Sequence, residues 1–282
     1  MAIKLMYITN LPEVAKIAEE AGVDRIFVDL EYIGKSLRQG GMDTVQSKHT
    51  LDDVRRISDT LGSAELLVRI NPIHEATEEY SSSKEEIDIA IQNGAKILML
   101  PYFKTVDEVK SFVTFAGGRA KTMILVETPE AAENIDEILA VEGVDEVYIG
   151  FNDLSLGYGK KFMFEILADG TVDRLIEKIK AKGLPYGFGG LASLDGGLLP
   201  GKMVLGEHYR LGSGCAILSR SFCNASKMTD LSEIRKVFTS GVAKIRAYEE
   251  LCCATNDAER EENRQNVRIA VGQIVEKISK KA

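Results

Sequence analysis

KILMLPYFKTVDEVKSFVTFAGGRAKTMILVETPEAAENIDEILAVEGVDEVYIGFND, residues 96–153, decides how the rest of the chain is read. It contains three short apolar runs, KILMLP (96–101), TMILVE (122–127) and EVYIG (146–150). Runs without polar alternation fit parallel strands covered on both faces. Between them lie VDEVKSFVTFAGG (106–118) and PEAAENIDEILAVEG (129–143), which have helical spacing and end in glycine, as helix C-termini prefer. Strand, helix and strand in that order predict βαβ units with right-handed crossovers.

The alternation continues in both directions. Towards the N-terminus stand IKLMYIT (3–9), IFVDL (26–30) and LLVRIN (66–71), with the helical segments LPEVAKIAEEAG (11–22) and LDDVRRISDTLG (51–62) among them. Towards the C-terminus, LPYGFGG (184–190) and HYRLGSG (208–214) are the candidates for a seventh and an eighth strand. Eight strands predict an α/β protein, a (β/α)₈ TIM barrel, rather than an open doubly wound sheet. No GxGxxG follows the first strand and no GxxxxGK[ST] occurs, so the common nucleotide-binding forms of the open sheet lack support. The expectation is one barrel domain over residues 1–282, with 229–282 as a helical extension used for packing or for exchange between subunits.

Composition narrows the partners. Of 282 residues, 45% are hydrophobic and 28% charged, which suits a folded chain with a sizeable core and not a disordered one. The formal net charge of −8 repels polyanions, so nucleic acid is not an expected partner. No run reaches the roughly 20 apolar residues of a membrane helix. The first residues lack the basic-then-apolar layout of a signal peptide. Cys215, Cys223, Cys252 and Cys253 show no CxxC spacing, and the expectation is reduced thiols in a cytoplasmic protein.

In a barrel of this type the active site forms at the C-terminal ends of the strands, so polar residues that end apolar runs are informative. Asp29 and Glu31 end the second run, Arg69 and Asn71 the third, Glu127 the fifth, and Asn152 and Asp153 follow the sixth. Glu127 and Asp153 are 26 residues apart, one strand-helix-strand step, which places two carboxylates at one mouth. Such a pair suits a hard cation whose remaining positions are filled by water and substrate oxygens, although acidic residues at strand ends also cap helices. Arg69 beside them reads either as a structural ion pair or as a donor to an anion and a developing enolate oxygen. GFNDLSLGYG (150–159) adds backbone amides as a small-anion cradle. His49 and His74 lie in polar loops and are candidates to touch substrate, whereas His208 reads as structural.

Taken together, VDLE (28–31), VRIN (68–71), KILMLPYFKTVDEV (96–109), VETPEAAENIDEI (126–138) and GVDEVYIGFNDLSLGYG (143–159) resemble the HpcH/HpaI aldolase and citrate lyase family, over roughly residues 20–160. The resemblance implies a barrel holding Mg²⁺, or Mn²⁺ or Co²⁺, through Glu127 and Asp153. It also implies a bound pyruvate or related 2-oxo acid, whose carboxylate reaches Gly150, Asn152 and Asp153 and whose enolate oxygen is held by Arg69. At the same strand ends, Glu31 is a candidate catalytic residue and Asn71 a candidate substrate-binding one. Metal-dependent class II aldol chemistry with an aldehyde partner follows, in a homo-oligomer.

Two positions depart from the pattern. Pyruvate aldolases of the family carry His directly after the second-strand DxE, where this chain has Tyr32, and often Gln where it has Leu125. Proton handling then falls to His49 or to Tyr32, the latter only with a lowered hydroxyl pKa. An acyl-CoA lyase of the citramalyl- or malyl-CoA type, with Lys35, Arg38 and Lys48 near the CoA phosphates, is the first alternative. A barrel that binds metal and 2-oxo acid without catalysis is the second.

Overall fold

A computed structural model describes residues 2–34 and 48–280. Eight parallel strands, β1 (Lys4–Ile8), β2 (Arg25–Asp29), β3 (Glu65–Arg69), β4 (Ile97–Leu100), β5 (Lys121–Val126), β6 (Glu146–Ile149), β7 (Tyr186–Leu191) and β8 (Cys215–Leu218), close into a barrel in chain order. The barrel is closed by pairing of β1 with β8.

Period two sorts the strand residues into two cores. Ile26 and Val28 of β2 face outward into the layer shared with the helices, whereas Phe27 joins Met6, Leu67, Ile97, Met99, Met123, Leu125, Tyr148 and Cys215 in the barrel interior. Along β2 the same periodicity puts Arg25, Phe27 and Asp29 in line from the bottom of the barrel to its mouth. Register then pairs Asp29 with Arg69 and Arg69 with Met99. The polar residues at the strand ends therefore meet in one layer at the C-terminal mouth.

The helices between strands are α1 (Pro12–Glu20), α2 (Leu51–Thr60), α3 (Ser83–Gln92), α4 (Val106–Ala116), α5 (Pro129–Glu133), α6 (Ile135–Ile138), α7 (Phe151–Gly157), α8 (Glu165–Ala168), α9 (Thr171–Ala181) and α10 (Gly201–Leu211). Thr50, Ser82 and Thr105 each close a capping box at the start of α2, α3 and α4, so these βα loops end where the sequence supplies a hydroxyl three residues before an acid.

The eighth strand is not HYRLGSG. Residues 201–211 form α10, which buries Val204, Leu205, His208 and Leu211 on one face and ends at Gly212 with φ +73°. The strand follows as the four-residue run CAIL. A run that short, directly after a helix that ends in glycine, carries little periodicity of its own. In β7, Gly187 is needed inside the barrel, because a Cβ there would lie 2.3 Å from Cys215 Sγ and 2.9 Å from the Tyr148 ring.

The tail consists of α11 (Leu231–Ala254) and α12 (Asp257–Ser279). The first is the eighth helix of the barrel. It packs on α1, and its Glu249 accepts hydrogen bonds from the Ile3 amide (2.8 Å) and the Tyr209 hydroxyl (3.0 Å). The second returns along α10 and α8, where Asn263 donates to Glu207 (2.9 Å) and Arg268 to the Ala168 carbonyl (3.0 Å). Both helices thus pack on the barrel. Among the described residues no helix is long and apolar enough to cross a membrane, and Cys215, Cys223, Cys252 and Cys253 are all thiols.

Candidate active site

A cavity of about 610 Å³ opens at the C-terminal mouth. Asp29, His49, Arg69, Leu125, Glu127, Gly150, Asn152 and Asp153 all line it. Six of the nine site residues expected from sequence are brought to this mouth: Arg69, His49, Glu127, Gly150, Asn152 and Asp153. A seventh, Glu31, is buried directly behind Arg69.

Arg69 ends β3 and is gripped by β2. Its Nε and Nη2 donate to the two oxygens of Asp29, both at 2.8 Å, and its Nη1 lies 3.3 Å from Glu31 Oε2. The guanidinium also stands 5.4 Å above the Phe27 ring. Burial alone would lower its pKa, but the charges of Asp29 and Glu31 outweigh that and hold it well above the ordinary value. Arg69 is therefore a fixed cation.

Glu127 follows β5 and is 4% exposed. Burial, together with the like charges of Glu31 and Asp153, pushes its carboxyl well above the usual range. Arg69 and the Tyr102 amide act in the opposite direction. That amide donates to Oε1 at 3.0 Å. On the other side a Cβ at position 150 would lie 2.9 Å from Oε2, so glycine at the end of β6 leaves the room this oxygen occupies. Asp153 stands in the first turn of α7, whose early amides have no intrahelical acceptor.

His49 closes the cavity from the β2–α2 loop. Its Nδ1 accepts the Asp29 amide at 3.0 Å, which leaves the proton of the neutral ring on Nε2.

Two expected residues lie elsewhere. Asn71 accepts from the Tyr32 and Ile33 amides, both at 3.0 Å, and donates to Glu86 at 2.8 Å, so its side chain holds the chain after β2 in place. Tyr32 pairs with Tyr80, their ring centroids 5.4 Å apart, and burial raises its hydroxyl rather than lowering it. Both line a second cavity of about 410 Å³ together with His74, Tyr80 and Glu86. There His74 Nε2 lies 2.9 Å from the Ser81 carbonyl and Nδ1 2.7 Å from that of Pro72, which fastens the loop before α3. His208 is structural, stacked 3.9 Å from Phe188 with Nδ1 2.8 Å from Ser213. Lys35 and Arg38 lie outside the described residues, whereas Lys48 lines both cavities.

Sequence reading did not single out the Tyr102 amide or the β8 loop, which contributes Ser219, Arg220 and Asn224 to the cavity wall. The β8 loop was hidden by the misplaced strand. No residue type in LPYFKT marks the turn at Tyr102.

A closed (β/α)₈ barrel whose C-terminal mouth holds a guanidinium among buried carboxylates defines the class of this protein. Residues 4–165 match the model of the HpcH/HpaI aldolase/citrate lyase family, and the chain belongs to that family, whose enzyme class is carbon–carbon lyase. It is 28% identical over 218 residues to a hydroxypyruvate/pyruvate aldolase of Roseobacter denitrificans, covering 63% of this chain and 80% of that one. Similarity to the aldolase of the same description from Roseovarius nubinhibens is 24% over 160 residues, 52% of this chain, and spans 61% of that protein. The crystal structure of an HpcH/HpaI aldolase from Desulfitobacterium hafniense has the same fold, with a TM-score of 0.62 at 19% identity over 83% of this chain and 92% of that one.

Proposed function

We propose that the protein is a divalent-metal-dependent lyase that forms or cleaves a carbon–carbon bond through the enolate of pyruvate or a related 2-oxo acid. The observation that carries this reading is the meeting of Arg69, Glu127 and Asp153 on one cavity at the barrel mouth.

The donor set fits a hard cation. Asp29, Glu31, Glu127 and Asp153 gather around Arg69, and burial first, then the like charges of Glu31 and Asp153, raises the Glu127 carboxyl, a cost that a bound cation would relieve. Glu127 and Asp153 are the ligands in this reading. Among the described residues no group of three or more His, Cys, Asp or Glu is arranged to hold a metal ion, and two carboxylates would suffice for a cation that keeps water and substrate oxygens. Mg²⁺, Mn²⁺ or Co²⁺ bound there supplies Lewis acidity towards the 2-oxo acid.

The chain's own residues do the rest. Asp29 and Glu31 hold Arg69 in place before any charge develops, so its remaining N–H groups meet the enolate oxygen without reorganisation. The early amides of α7 at Asn152 and Asp153 receive the substrate carboxylate. His49, fixed at Nδ1 by the Asp29 amide, acts as a hydrogen-bond donor through Nε2. Transfer of a proton by this ring requires that it release the amide.

Proton NMR of pyruvate in D₂O tests the half-reaction without knowledge of the aldehyde. Methyl protons exchange only with Mg²⁺ or Mn²⁺ present, and exchange falls about 10²-fold or more in Arg69→Ala, the scale of a lost oxyanion donor. No exchange with any metal overturns the reading and turns the search to acyl-CoA thioesters, with release of CoA as the signal.

A further inference from the structure

Tyr102 is the one non-glycine residue with positive φ among the described residues, at +47°. Left-handed backbone is uncommon outside glycine and is enriched in Asn, Asp and His, so a bulky aromatic there is a true outlier. It sits between Pro101 and Phe103, which are both buried, in the turn that leaves β4. Its ring lines neither of the two cavities described above and lies beneath Lys104, whose Nζ is 5.6 Å from the ring centroid.

The backbone of this turn is fastened to the end of β5 at two points. Tyr102 N–H donates to Glu127 Oε1 at 3.0 Å, and Thr128 Oγ1 donates to the Phe103 carbonyl at 2.8 Å. The second bond places the loop, whereas the first selects one carboxylate oxygen. With Oε1 engaged, Oε2 lies on the side of Gly150, where a Cβ would come within 2.9 Å. Glu127 is thus held in one orientation by a strained peptide on one side and by a missing side chain on the other. Strain of this kind persists where the surroundings over-determine it, and it gathers at functional sites.

We propose that Tyr102 is a positioning residue: its left-handed backbone aims an amide at Glu127 Oε1 and thereby presents Oε2 for cation binding. The inference rests on the metal-dependent reading above. It assigns the role to the peptide conformation and none to the phenol.

Substitutions that separate conformation from side chain test this, with Mn²⁺ affinity measured by the electron paramagnetic resonance signal of the free ion. Tyr102→Asn and Tyr102→Gly tolerate positive φ without the ring, and both bind Mn²⁺ within about twofold of the parent. Tyr102→Val, β-branched and unable to hold φ near +47°, withdraws the amide and weakens Mn²⁺ by about tenfold or more, the scale of a lost outer-shell contact. Thermal melting of each metal-free chain verifies folding. Equal affinity in the parent and a folded Val chain overturns the proposal and leaves the metal reading standing. Loss of affinity in both Asn and Gly chains also overturns it, even if the Val chain fails to fold. If the parent binds Mn²⁺ no better than Glu127→Ala, the metal reading itself fails and the proposal falls with it.

Discussion

His208 shows how one buried side chain ties stability to pH. It is fully buried on α10, and burial pushes its pKa from 6.5 down to about 3. Because the folded value is depressed, the unfolded chain binds the extra proton between those two values. Stability from this residue is therefore complete above pH 6.5 and is lost as pH falls. Over the span from pH 7 to pH 5 the loss is about 2 kcal/mol. His208→Gln removes the titration, so the stability difference between the two chains changes by about that amount over the same range, as read by urea unfolding at each pH. A constant difference would show that the imidazole takes up its proton over the same pH range in the folded chain as in the unfolded one. Legibility in sequence varies at this scale. Asp29, Arg69 and Glu127 were visible as charges that end apolar runs, whereas the outward turn of Tyr32 depended on which loops pack around it.

At the scale of elements, the loops at the mouth are set by short-range chemistry. Thr105 begins α4, where its hydroxyl accepts from the Glu108 amide at 3.3 Å while the Glu108 carboxylate reaches back to the Thr105 amide at 2.8 Å. This box fixes where the turn containing Tyr102 must end. Thr105→Ala lowers stability by about 1 kcal/mol, measurable as a shift of the denaturation midpoint with unchanged slope. A larger cost with a changed slope would mean that the turn itself had unravelled. Such boxes can be read directly, since the hydroxyl and the acid are three residues apart. The eighth strand could not be read that way. CAIL is too short to show a period, and it becomes a strand because β1 and β7 offer edges on both sides of it.

The whole molecule adds a contact that no local pattern announces. Arg25 on β2 and Glu146 on β6, four strands apart around an eight-stranded barrel, meet across its N-terminal end through two hydrogen bonds of 2.7 and 2.6 Å. Glu65 adds a third bond to Arg25 at 3.1 Å. Arg25 is fully buried. Charge at that end of a barrel serves stability rather than chemistry, since catalysis belongs to the opposite mouth. Glu146→Ala leaves the buried guanidinium with Glu65 as its one carboxylate partner and destabilises the fold by about 3 kcal/mol in urea unfolding. Arg25→Met combined with Glu146→Leu restores most of that loss, because neither charge then needs compensation. A double variant as unstable as the single one would instead assign the loss to packing.

The sequence by itself determined the class of fold and the layer in which the site forms. Alternating buried strands and amphipathic helices leave few topologies, and period two carries Asp29 and Arg69 to the same side of the sheet. It also determined that carboxylates and a guanidinium would share one mouth. Only the tertiary structure decided which of these groups touch: Arg69 is divided between Asp29 and Glu31, His49 rather than Tyr32 enters the cavity, and Glu127 accepts the Tyr102 amide from the turn after the neighbouring strand. The reason is physical. Period and capping act over a few residues, whereas the direction of a carboxylate or an imidazole is set by groups that are distant in the chain and become neighbours only when the barrel closes.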